Sequence, residues 1–125
     1  MSSPVRRACI VLFVSAVTAA GCSGKSDSEV SACRGELVDE ANAAVVSQFY
    51  AEGRLGTQRQ VERQLGKYGK RFFRPDGSLR PYRGLSPLLK GDFNVWMYSG
   101  HAFDVTRAAQ KRATAQAFER AKKQC

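Results

Sequence analysis

Residues 104–125, DVTRAAQKRATAQAFERAKKQC, decide the fold class. The stretch holds no Gly or Pro and is rich in alanine, the residue that loses least on entering a helix. It opens on Asp104, whose carboxylate suits the free amides of a first turn, and closes on Lys122 and Lys123, which complement the negative helix pole. Val105, Ala109, Ala113 and Ala117 recur every four residues with Phe118, Ala121 and Cys125 beside them. That is a stripe of small side chains against which a second helix can pack closely.

Working back toward the N-terminus, helical signals return twice. Ser26 with Glu29 forms a capping-box pattern, after which Val30, Cys33, Leu37, Ala41, Ala44, Val45 and Phe49 fall at helical spacing, until Gly53 offers a stop. A helix over 27–52 is predicted. Thr57 with Gln60 repeats the capping box, and Val61, Leu65, Tyr68 and Phe72 make one apolar stripe of a second helix ending near Phe73. Arg59, Arg63, Lys67, Lys70 and Arg74 follow a comparable spacing on another face. Gly66 and Gly69 weaken this helix by about 1 kcal/mol each, so packing must hold it.

Between the second and last helices the pattern is irregular. Residues 74–91 carry Pro75, Pro81 and Pro87 with three glycines, and Pro75-Asp76-Gly77 is a turn signal. In 92–99, Phe93, Val95 and Met97 alternate with Asn94, Trp96 and Tyr98, a strand-like period of two. Segments 71–74 and 78–83 flank the turn and offer a candidate short hairpin. The competing reading, which the prolines favour, is an irregular loop whose aromatic rings plug a helical core.

The whole chain has 125 residues, 43% of them hydrophobic and 25% charged, an ordinary globular composition that excludes disorder throughout. Its net charge is +9, with 20 Lys and Arg against 11 Asp and Glu. The excess is central. Ten basic residues face only Glu62 and Asp76 between Arg54 and Lys90, whereas 27–52 is net acidic. Such asymmetry points to a basic face that meets something anionic.

The first 22 residues carry an address. Arg6 and Arg7 form a positive start, and 8–20 is apolar apart from Ser15 and Thr18, too short at 13 residues for the ~20 that a membrane-spanning helix needs. Ala19-Ala20-Gly21-Cys22 follows and resembles the lipobox of bacterial lipoproteins, with Ala19 departing from the usual Leu or similar aliphatic residue. The resemblance covers residues 1–22 alone. It implies a signal peptide over 1–21, cleavage before Cys22 and lipidation of that thiol. It further implies a tether over 22–28 and a small periplasmic domain over 29–125. Two or three acyl chains would anchor the protein stably. Ser23, standing where Asp would favour inner-membrane retention, implies outer-membrane sorting in a Gram-negative envelope. Without Arg6 and Arg7 the mature chain keeps 18 basic residues against 11 acidic, a net +7.

The same resemblance settles the cysteines. Cys9 leaves with the signal and Cys22 is acylated, so Cys33 and Cys125 remain in an oxidising compartment and are expected to pair, the alternatives being two free thiols or an intermolecular bridge through Cys125. The bridge would join the start of the first helix to the end of the last and set them antiparallel. The fold expected is therefore mainly α: a small three-helix domain with a Pro/Gly-rich basic connection and a candidate hairpin, stapled by one disulfide.

Candidate chemistry is sparse. His101 is the single histidine, so no metal set is indicated, and Ser99, His101 and Asp104 are sequence neighbours without a nucleophile-elbow motif. Helix capping is the simpler role for His101. Glu36, Asp39, Glu40 and Glu62 have ordinary surface spacing, and no phosphate-binding glycine loop or cofactor motif occurs. The distinctive feature is a mixture of cations and rings: Arg59, Arg63, Lys67, Lys70, Arg71, Arg74, Arg80 and Arg83 with Trp96 and Tyr98. Such a face suits a protein partner or anionic lipid, and an envelope location argues against nucleic acid. The expected function is a non-catalytic, lipid-anchored binding module for a protein partner, of the inhibitor or immunity, exclusion, or secretion and conjugation accessory type. The alternative is a structural envelope protein that lays its basic face on anionic lipid or cell wall.

Overall fold

A computed structural model describes residues 26–125. The expected signal peptide, the lipobox and Cys22 lie outside the described residues. Among those described, four α-helices form: α1 (Asp27–Ala51), α2 (Gln58–Leu65), α3 (Pro87–Met97) and α4 (Gly100–Gln124). Two short 3-10 turns, Gly69–Phe72 and Tyr82–Gly84, lie between α2 and α3. Cys33 and Cys125 are joined by a disulfide. The chain divides after Cys33, so residues 26–33 contribute the opening turns of α1 and Arg34–Cys125 is one packed unit.

Both capping boxes hold. The Ser26 amide donates to Glu29 Oε1 at 2.9 Å and the Glu29 amide to Ser26 Oγ at 3.2 Å. The Thr57 amide donates to Gln60 Oε1 at 2.8 Å and the Gln60 amide to Thr57 Oγ1 at 3.2 Å. In α1, however, the buried line is Asn42, Ala43 and Val46, with Phe49 and Tyr50 partly covered, while Ala44 of the expected stripe faces solvent. The helix is turned from that stripe, and Asn42 enters the interior.

α2 ends sooner than expected, at Leu65 rather than near Phe73. Gly66 takes φ 93°, a conformation that side-chain-bearing residues rarely adopt, and this stops the helix. The apolar stripe nonetheless continues: Val61, Leu65 and Phe72 are buried and Tyr68 is half-buried. Around Pro75-Asp76-Gly77 the chain reverses as the turn signal indicates. Gly77 N–H donates to Arg74 O at 2.9 Å, Arg74 N–H to Ser78 O at 2.8 Å, and Asp76 Oδ1 accepts from the Ser78 amide at 2.9 Å. An isolated antiparallel bridge, Phe73 with Leu79, closes over it, and no strand forms among the described residues. The Tyr50 hydroxyl donates to Gly77 O at 2.9 Å and ties the turn to α1.

The largest departure is α3. Neither a strand nor an irregular loop, 87–97 is a helix whose N-cap Ser86 accepts from the Leu89 amide, with Pro87 in the first turn, where its missing N–H costs nothing. Leu89, Phe93, Trp96 and Met97 are buried at steps of four, three and one, one face of a 3.6-residue period. Phe93 anchors the aromatic core: Tyr82 and Trp96 meet it edge-on at 5.6 and 5.4 Å, and Phe72 lies at 6.1 Å. The rings do fill the interior, but from a helix.

α4 starts at Gly100, so Asp104 is not its cap and instead pairs with Arg107 at 3.3 Å. Its buried line is Ala102, Thr106, Gln110, Ala117 and Ala121; Phe118 is 45% exposed. Asn42 Nδ2 donates to Thr114 Oγ1 at 3.0 Å. This contact ties the middle of α1 to α4.

Candidate functional site

The basic residues gather where α2 stops. Val61 and Leu65 turn inward, which leaves Arg59 and Arg63 on the exposed side, one turn apart. Gly69 then returns the chain against α2: a Cβ at that position would lie 2.0 Å from Glu62 O, so only glycine permits the approach. The 3-10 turn that begins there carries Lys70 and Arg71 back beside Arg63 and Lys67. Together with Glu62 and Tyr68 these four cations line a cleft of about 290 Å³. Lys67 Nζ and Arg71 Cζ each lie 5.5 Å from the centre of the Tyr68 ring, within cation–π reach.

The charge there is only partly offset. Among the described residues, none of Arg59, Arg63, Lys67, Lys70, Arg71, Arg74 or Arg80 takes part in an ion pair. Glu62, the one acid in the cleft, accepts from Gln58 Nε2 at 2.9 Å. Cations held together without partners repel one another, and an incoming anion relieves that repulsion while gaining attraction of its own.

The remaining members of the expected face are dispersed. Arg74 is exposed, with Nη1 3.5 Å from Ser78 Oγ. Arg80 and Arg83 line a separate groove of about 460 Å³ with Glu40, whose carboxylate holds Arg83 at 3.0 Å. Trp96 does not belong to a contact surface: it is 5% exposed, and its indole N–H donates to Gln64 Oε1 at 2.9 Å. The helical period of α3 turns it inward. Tyr98 is 37% exposed and its hydroxyl donates to Asp39 Oδ1 at 2.6 Å while accepting from Asn42 Nδ2 at 3.2 Å. It belongs to a polar network between α1 and α4, away from the lining of the basic cleft.

The carboxylates are likewise separated. Glu36 pairs with Lys90 at 3.2 Å, Glu40 with Arg83, and Asp39 with the Tyr98 hydroxyl. His101 is exposed in the first turn of α4, Ser99 Oγ donates to Val95 O, and no hydrogen bond links Ser99, His101 and Asp104 among the described residues. Nor do three His, Cys, Asp or Glu side chains converge there at metal-binding distance. No described helix is long and apolar enough to cross a membrane.

Sequence reasoning missed the buried polar residues Asn42, Thr106 and Gln110. Their signal was available in α4, where Thr106, Gln110 and Thr114 stand every four residues, one position along from the alanine stripe. Compared with known family models, curated proteins and solved structures, the chain matches none. The functional reading therefore rests on its own residues.

Proposed function

We propose that this chain is a lipid-anchored envelope lipoprotein and a non-catalytic binding module, which receives an acidic segment of a protein partner in the cleft at the end of α2. The observation that supports this reading is the set of unpaired cations, Arg63, Lys67, Lys70 and Arg71, around the half-buried ring of Tyr68. Its concavity favours a protruding acidic segment over a flat headgroup layer, and the ring adds apolar contact that a bare charge patch lacks. The anchor is Cys22 and the proposed site of action the periplasmic face of the outer membrane.

Two measurements test this together. Cys22→Ser should abolish palmitate incorporation and leave the precursor uncut; normal acylation of that variant removes the anchor. Crosslinking in intact cells should join the acylated protein to one envelope protein, and Lys67→Glu with Lys70→Glu should cut that product about tenfold or more. An unchanged product overturns the cleft assignment. If the same pair of substitutions instead abolishes salt-sensitive binding to protein-free anionic vesicles, the structural alternative replaces the partner reading.

A further inference from the structure

A third concavity shares no residue with the basic cleft. It is a groove of about 350 Å³ between α1 and α4, with Tyr98 and Phe103 among its walls, Arg107 and Lys111 at its rim, and Gln110 and Thr114 along α4. One wall is set before any ligand arrives, because hydrogen bonds to Asp39 and Asn42 hold the Tyr98 ring. Arg107 Cζ lies 4.9 Å from the centre of the Phe103 ring and also reaches Asp104. Lys111 is exposed and in no ion pair among the described residues.

Gln110 supplies the decisive detail. It is 3% exposed, and its Nε2 donates to Met97 O and Thr106 Oγ1, each at 2.9 Å. Those two acceptors fix which end of the amide is nitrogen and leave Oε1 without a protein donor among the described residues. A buried acceptor without a donor carries a desolvation cost that a bound group can recover.

We propose that this groove binds a small aromatic anion bearing one N–H or O–H donor. The ring lies against Tyr98 and Phe103, the anionic group meets Lys111 and Arg107, and the donor reaches Gln110 Oε1. The volume is within the range of small-molecule sites. No acid lines the groove, and Asp39 and Asp104, which contact its lining residues Tyr98 and Arg107, are engaged by them, which leaves Lys111 the free charge. This site stands apart from the lipoprotein reading.

The test uses the mature-length chain, residues 22–125, with Cys22→Ser so that no acyl chain competes for the probe. Anilinonaphthalene sulfonate carries fused rings, one N–H and an anionic group. It should bind saturably at one site, with amide shifts centred on Tyr98, Phe103 and Gln110. Lys111→Glu, an exposed change whose folding is verified by circular dichroism, should weaken it about tenfold, one charge-assisted contact. Neutral phenylnaphthylamine, with the same rings and N–H, should ignore Lys111→Glu, and phenoxynaphthalene sulfonate, with an ether oxygen in place of the N–H, should bind more weakly than the parent probe. Non-saturable fluorescence, indifference of the parent probe to Lys111→Glu, or loss on Lys70→Glu in its place would overturn the assignment.

Discussion

Tyr98 joins the end of α3 to α1 through one oxygen. As the C-cap of α3 it donates its amide to Asn94 O at 3.0 Å, while its phenol donates to Asp39 and accepts from Asn42, which also bonds Thr114. Burial of the phenol raises its pKa above the ordinary value of about 10, and the bond donated to Asp39 raises it further. A group whose folded pKa is raised contributes stability that is complete below the unfolded value and lost as pH climbs through the folded one. Denaturant unfolding should therefore show wild-type stability falling above about pH 10. Tyr98→Phe should be less stable by about 1–2 kcal/mol near neutrality and show a shallower alkaline decline. The decline should not vanish, since burial pushes Tyr50 and Tyr82 the same way. An equally stable variant at neutral pH would count against the network.

α3 separates two readings of one stretch of sequence. Read at a period of two, Phe93, Val95 and Met97 share a buried side; on the helix, Phe93 is 1% and Met97 0% exposed but Val95 is 70% exposed. Val95→Asp should then change unfolding free energy by only about 0.5 kcal/mol, whereas Phe93→Ala should cost about 3–5 kcal/mol. Comparable large losses at both positions would restore the strand. A helix signal was present in Ser86-Pro87, a cap followed by a first-turn proline, but Pro87 reads equally well as a loop signal until Leu89 and Trp96 are seen to share a face. The same limit applies to α2. Its capping box and stripe were legible, yet its end was not, because the roughly 1 kcal/mol that Gly66 costs a helix can be overcome by packing, and it stops one here where the packing of Gly69 on Glu62 demands a reversal.

Across the whole molecule, the disulfide is the longest constraint. Cys33 and Cys125 stand 92 positions apart, and closing so long a loop restricts the unfolded chain far more than the folded one. Replacing both by Ser should lower stability by about 2–5 kcal/mol, measured as a lower denaturant midpoint. An unchanged midpoint would show that the core carries the fold without the bridge. At this scale the basic face was only half legible. Local spacing found the cations that share the α2 cleft, but it could not tell that Arg80 and Arg83 line a different groove or that Trp96 turns inward.

By itself the amino-acid order determined what depends on near neighbours: the helical class, both capping boxes and the Pro75-Asp76-Gly77 reversal. Caps and turns are contacts over two or three residues, so their chemistry is complete in a short window. Only the tertiary structure decided which side of each helix is buried, where α2 stops, and which cations share a cleft. Those outcomes depend on volumes and hydrogen-bond partners brought together from distant positions, such as Asn42 with Thr114 and Trp96 with Gln64, and no local period encodes them.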